Sequence, residues 1–237
     1  VKILNRKNMF VIISVLLVLT LLGTTIVPES AKAAGDSRSE LINKFSKKSR
    51  YKFKVMDGKS QYDAFIYSDK EKKAVNDIGW ACAREGDSYY TGNYNIAVIK
   101  QGSTKVQTTQ IGEQSFDAKT SYNFAYAVKG KPDLIAIARC EASSGASVDL
   151  YTMVNEKMAG LKKGIFTING VNIKAAGDQT FQSVYFNNAE DWGYYFETWV
   201  LDKAKLTIRL KKTFHSADGG GNIYKKWLKE PKYIVTK

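Results

Sequence analysis

FAYAVKGKPDLIAIARCEASSGASVDLYTMVN, residues 124 to 155, holds three apolar runs divided by two polar turns. Gly130 with Pro132 breaks the first boundary and Ser143 to Gly145 breaks the second, the pattern of short antiparallel strands joined by tight connections. The same order recurs on both sides of it. WACAREG at Trp80 to Gly86 matches FAYAVKG at Phe124 to Gly130: an aromatic, alternating alanines, then charge and glycine. YNIAVIKQG from Tyr94 matches DLIAIARCE from Asp133, and KVQTTQIG from Lys105 matches SVDLYTMVN from Ser147. A weaker third copy reads SVYFNN from Ser183, YYFETWVLD from Tyr194 and KLTIRLKKT from Lys205. The repetition predicts a unit of three or more antiparallel strands starting near Trp80, Phe124 and Val184, with GIFTINGVNIKAAG from Gly164 as an additional hairpin.

Within this pattern GKPDLIAIARCEASSGASVDLYTM, Gly130 to Met153, resembles the bacterial β-propeller repeats of the VCBS and FG-GAP type. In those repeats a glycine and an Asp-Leu pair precede a hydrophobic strand, and a second strand follows a polar turn. The resemblance implies four-stranded blades. It stops at the calcium loop, because Gly130, Lys131, Pro132 and Asp133 offer one carboxylate beside a lysine. A hard cation takes about six to eight oxygens, so neither a metal nor another cofactor is expected. The predicted class is all-β, antiparallel hairpin repeats arranged as a propeller or a β-sandwich, in one domain over residues 51–237.

The N-terminus carries a different signal. Lys2, Arg6 and Lys7, the apolar run from Met9 to Leu22 and the small residues of AKAA at Ala31 to Ala34 predict a secretory signal peptide over 1–33, cleaved after Ala33. A retained membrane anchor is the alternative. Residues 34–50 then supply one short amphipathic helix, Arg38 to Lys48, and a basic segment. Ser37 and Glu40 have capping-box spacing, and Leu41, Ile42 and Phe45 share a face.

The formal charge of +13 loses four cations and one acid with the leader and becomes +10. An exported basic protein meets polyanions outside the cell, so the expected partners are anionic cell-wall polymer or carbohydrate. Intracellular nucleic acid is not expected, nor a membrane span once the leader is removed. Cys82 and Cys140 are the two cysteines, and an oxidising compartment permits them to pair; buried free thiols are the alternative reading.

Two basic stretches interleave cations with rings, the combination that grips polyanions while aromatics anchor. KKSRYKFK contributes Lys47, Lys48, Arg50, Tyr51 and Lys52, and YKKWLKEPKY contributes Tyr224, Lys225, Lys226 and Trp227. SYYTGNYN adds Tyr89, Tyr90 and Tyr94. The competing reading makes these ordinary edges whose lysines block strand aggregation.

Catalytic constellations are sparse. In NNAEDWGYYFETWV, residues 187 to 200, alternation puts Trp192, Tyr194, Phe196 and Thr198 on one face and Tyr195, Glu197 and Trp199 on the other. A strand covered on both sides is the expectation, and a sugar-binding platform is the alternative. Asp191 and Glu197 stand about 20 Å apart along an extended strand, too far to work as a glycosidase pair. Asp149 is a more distant candidate partner. Gly86-Asp87-Ser88 resembles the nucleophile block of the GDSL esterases, yet Lys212 stands three residues before His215, the sole histidine, where that family places an aspartate. The expectation is a secreted, non-catalytic binding protein at the cell surface or outside it. Its alternative is a secreted hydrolase of an extracellular polymer using strand-borne carboxylates.

Overall fold

The computed structural model describes residues 29–119, 122–142, 145–168, 173–189, 191–217 and 221–236, with side chains from 38 onward except that of Ala142. The expected leader lies outside the described residues over 1–28, as do the side chains around its cleavage point. The architecture is mostly antiparallel β-sheet with two short helices.

Helix α1 (Glu29–Lys48) leads directly into β1 (Ser49–Asp57), which turns at Gly58 into β2 (Ser60–Tyr67). The helix ends where the sequence places its end but starts earlier, so Ser37 lies inside it rather than at its cap. The alanines at 31, 33 and 34 carry high helix propensity. With β3 (Lys72–Val75), β4 (Ser88–Lys100) and β5 (Val106–Asp117) these strands make the first sheet. β5 runs along one side of β4, while β2 and β3 share its other side. The second sheet holds β6 (Phe124–Val128), β7 (Leu134–Ala142) and β8 (Gly145–Val154), with β9 (Lys157–Gly160) and β10 (Ile165–Thr167) sharing the far edge of β8. The third is β11 (Lys174–Gly177), β12 (Thr180–Asn187), β13 (Gly193–Asp202) and β14 (Thr207–Ser216), in that order. Helix α2 (Asn222–Lys229) follows.

Two expected strand units are corrected. WACAREG is a loop whose Trp80 and Ala83 form an isolated bridge, and the first sheet takes β2 in its place. Hydrogen bonds from Asn76 N to Asp87 O and from Gly86 N to Asn76 O, each 2.9 Å, close this loop on itself. Trp80 is 60% exposed, so the alternation has no facing layer to bury it. GIFTINGVNIKAAG is not a hairpin either. Its first arm, β10, pairs with β8 and its second, β11, pairs with β12, so the segment crosses from one sheet to the next.

Strand alternation explains the layering. In β2, Phe65 and Tyr67 face Phe45 of α1, while Tyr62, Ala64 and Ile66 face the second sheet. In β7, Ile135 and Ile137 face the first sheet, while Leu134, Ala136 and Ala138 face the third. A strand buried on both sides reads as an unbroken apolar run, as LIAIA does. In β12 and β13, Phe181, Trp199 and Leu201 face the second sheet, and Val184 and Phe196 face Trp227 of α2. The order of layers is therefore α1, three sheets, α2.

Turns from all three sheets meet at Asp133, which is 3% exposed. Its carboxylate accepts from Met56 N at 2.9 Å, Gly130 N at 2.8 Å and Lys129 Nζ at 2.8 Å. Gln179 N donates to Lys131 O at 2.7 Å, and Lys203 reaches Asp57 at 2.6 Å, tying the third sheet to the other two. Asp133→Ala would leave two backbone donors without their acceptor, so we expect a loss of about 2–3 kcal/mol in urea unfolding. An unchanged midpoint would remove Asp133 from this role.

Candidate functional site

Two surfaces of the third sheet carry chemistry. The first is on the face turned toward the second sheet. Trp199 (6% exposed) and Leu201 (1%) fill the core there, and Phe196 (1%) packs under α2 on the other face. Toward the opposite end of β13 that sheet-2 face opens. The register sets Tyr185 opposite Tyr195 and Tyr195 opposite His215. Their rings stack in a ladder, 4.9 Å and 4.4 Å between centroids and 12° and 16° between planes. The turn entering β13 holds the ladder upright, with Tyr195 OH donating to Asp191 O at 2.9 Å and His215 Nε2 lying 3.1 Å from Trp192 O. Gly193, at φ 146°, lies close beneath the imidazole; a Cβ there would fall 2.6 Å from His215 Nε2.

One step along β13 from the ladder, Glu197 points into a groove of about 270 Å³ lined by Lys163, Gly164, Phe166, Tyr185 and Trp199. Phe166 meets Tyr185 edge-on at 6.4 Å and is 43% exposed. Its ring occupies the space over Gly145, where a Cβ would fall 2.0 Å from Phe166 Cζ. Trp199 Nε1 donates to Ser183 Oγ at 2.9 Å and fixes the floor. Burial raises the Glu197 carboxyl above the ordinary carboxylate range, against the opposing pull of the Lys163 ammonium.

Glu197 has no carboxylate partner in Asp149. Along β8, Asp149 lies between Val148 and Leu150, which face the third sheet, so it points to the opposite side and pairs with Arg139 at 2.7 Å. Ser88 opens β4 in the first sheet, with the whole second sheet between it and His215. Among the described residues no group of three or more His, Cys, Asp or Glu is placed to hold a metal ion. A larger hollow of about 460 Å³ runs along β4, but Lys70 and Lys72 there are balanced by Asp69 and Glu113, and no ring lines it.

The second surface is the α2 end. Residues 203–237 hold ten of the chain's 36 lysines and arginines against two of its 23 acids, so this segment carries +8 of the +13. Arg209, Lys211 and Lys212 on β14, Lys225, Lys226 and Lys229 on α2, and Lys232 beyond it are all exposed. Lys226 Nζ lies 4.5 Å above the Tyr233 ring. Lys174 is the exception in this neighbourhood: it donates to Trp227 O and, at 2.9 Å, to Glu230 O, closing the end of α2. Burial lowers its ammonium pKa.

The residues singled out in the sequence are split by the fold. Tyr224, Lys225 and Lys226 belong to this surface, with Tyr224 stacked on Tyr194 at 4.5 Å. Trp227 is fully buried, as is Tyr94, whose OH donates to Glu71 at 2.6 Å; both serve the core. Lys47, Lys48, Arg50, Tyr51 and Lys52 lie at the other end of the stack, on α1 and β1. There Lys48 pairs with Asp69 at 2.7 Å, and Arg50 pairs with Glu71 and stacks 3.4 Å over Tyr90. Tyr51 packs between the two main core clusters, and Tyr89 sits half-buried in β4. Of the stretch from 47 to 54, Lys47, Lys52 and Lys54 are exposed. Sequence reading missed Arg209, Lys211 and Lys212; counting charge by segment along the chain would have found them.

No family model, no curated protein and no solved structure matches this chain. Among the described residues no helix is long and apolar enough to cross a membrane.

Proposed function

We propose that the protein is an exported, non-catalytic binding protein that docks on an anionic cell-wall polymer through β14 and α2. The observation that carries this reading is the segregation of charge: +8 of the formal +13 falls in residues 203–237, while at the opposite end Asp69 and Glu71 take up Lys48 and Arg50 and leave Lys47, Lys52 and Lys54 exposed. Exposed cations contribute little singly, but a cluster of one sign raises the local concentration of a polyanion and speeds its capture. The Cys82–Cys140 disulfide supports export, because such bonds persist in oxidising compartments. We read the three sheets as blade-like hairpin repeats stacked face to face in an open pile rather than closed round an axis, a reading that the helices on the two outer faces support.

Binding of this kind is screened by salt. On a column of purified anionic wall polymer the protein is expected to be retained at low salt and released as salt rises. Lys225→Glu with Lys226→Glu and Lys229→Glu should release it at markedly lower salt, whereas Lys47→Glu with Lys52→Glu should elute close to the parent. Equal behaviour of the two variants, or retention indifferent to salt, would overturn the assignment. The hydrolase reading keeps one specific support, the half-buried Glu197 carboxyl, and predicts turnover of a polymer substrate that Glu197→Gln abolishes.

A further inference from the structure

We infer that the groove beside Glu197 is a binding subsite for one neutral pyranose unit of a saccharide, distinct from the basic end surface. Its volume of about 270 Å³ falls just below the range of about 300–1,000 Å³ typical of ligand pockets, giving room for a single ring.

The lining selects the ligand class. An apolar molecule would bury the Glu197 carboxylate without a hydrogen-bond partner, which is costly. An anion would be repelled by the same carboxylate. An organic ammonium would suit Glu197 and the rings, but the Lys163 ammonium lines the same groove, its charge already acts on that carboxylate, and it opposes a second cation. A neutral polyol meets every group present. Its C–H face lies on the exposed Phe166 ring, two hydroxyls donate to Glu197, and a ring or hydroxyl oxygen accepts from Lys163.

The supporting parts are held for this geometry. Gly145 leaves the space that the Phe166 ring occupies, and the Ser183 hydroxyl takes the Trp199 N–H, so the floor presents indole carbon rather than an unpaired donor. The Tyr185–Tyr195–His215 ladder uses its ring faces on itself and forms a stiff wall. Glu197 sits in apolar surroundings that disfavour its charge, and hydroxyl donors would relieve that penalty.

The full protein is titrated calorimetrically with glucose, galactose, mannose, N-acetylglucosamine and their short β-linked oligomers, at low and high salt, with choline as the cationic control. At least one neutral sugar is expected to bind at both salt concentrations. Phe166→Ala and Glu197→Gln should each weaken it tenfold or more, while the circular dichroism spectrum and thermal midpoint stay those of the parent. The triple lysine variant of α2 should bind the sugar unchanged, so failure here and failure of polyanion docking are read separately. Absence of binding by every sugar, choline binding in their place, or parent-like affinity in both groove variants would overturn the inference.

Discussion

Trp227→Ala is expected to lower the free energy of unfolding by about 3–5 kcal/mol, the cost of emptying a large aromatic site in a packed interior. Trp227 is fully buried against Ile168, Val184, Phe196 and Val235. Its indole N–H donates to Gln182 Oε1 at 2.8 Å. The same oxygen accepts from Val235 N at 3.0 Å, while Gln182 Nε2 donates to Val235 O at 2.8 Å and to Thr198 Oγ1 at 3.1 Å. One amide of β12 thus fastens both the helix and the tail beyond it. Domains are stable by only about 5–15 kcal/mol, so the loss is a large fraction of the whole. Urea unfolding measures it. Limited proteolysis should also cut the variant within residues 217–236 under conditions that spare the parent. A loss under about 1 kcal/mol would mean that α2 is held by something else. Retention on the polyanion should weaken in parallel, because the cations of α2 lose their fixed positions.

Replacing Cys82 and Cys140 together by serine is expected to cost about 4 kcal/mol, the chain-entropy value for releasing a long loop in the unfolded state. The bond closes a separation of 58 residues and joins the loop after β3 to β7, the middle strand of β6, β7 and β8. Cys82 is 2% exposed, so the loop it anchors is pinned to the body of the protein while Val75, Ile78 and Trp80 stay outside. Dithiothreitol should bring the parent to the stability of the double-serine variant and leave that variant unmoved. Equal stability of the parent with and without reductant would show that the crosslink constrains little.

The parts of the fold legible in the sequence are those where periodicity and layering agree. The stretch that becomes β6, β7 and β8 alternates or runs apolar just where neighbouring sheets cover it, and in YYFETWVLD Phe196 lies under a helix while Trp199 and Leu201 lie under a sheet, the face at Tyr195 and Glu197 staying open. Leu41, Ile42 and Phe45 identify the inner face of α1 for the same reason. WACAREG carries the same local pattern, yet only Cys82 and Ala83 are buried and Trp80 has no layer over it, which local pattern cannot reveal. Helix α2 has eight residues between a glycine run and a proline, and its lysines mask the apolar pair Ile223 and Trp227, one turn apart on its inner side. Half of the candidate groove was visible: alternation along β13 put Tyr195, Glu197 and Trp199 on one face. The rest depends on register between strands distant in sequence, which sets Tyr185 and His215 beside Tyr195. The crossover that delivers Phe166 from another sheet has no signature in composition at all.

Face-to-face sheets have no inherent reason to stop at three, since each new one could offer its far side to another. The two helices work as bookends: Phe45 seals one extremity of the pile and Trp227 the other. Molecules stripped of either bookend would present a broad greasy plane, and self-association into longer piles is the failure to look for in such truncations.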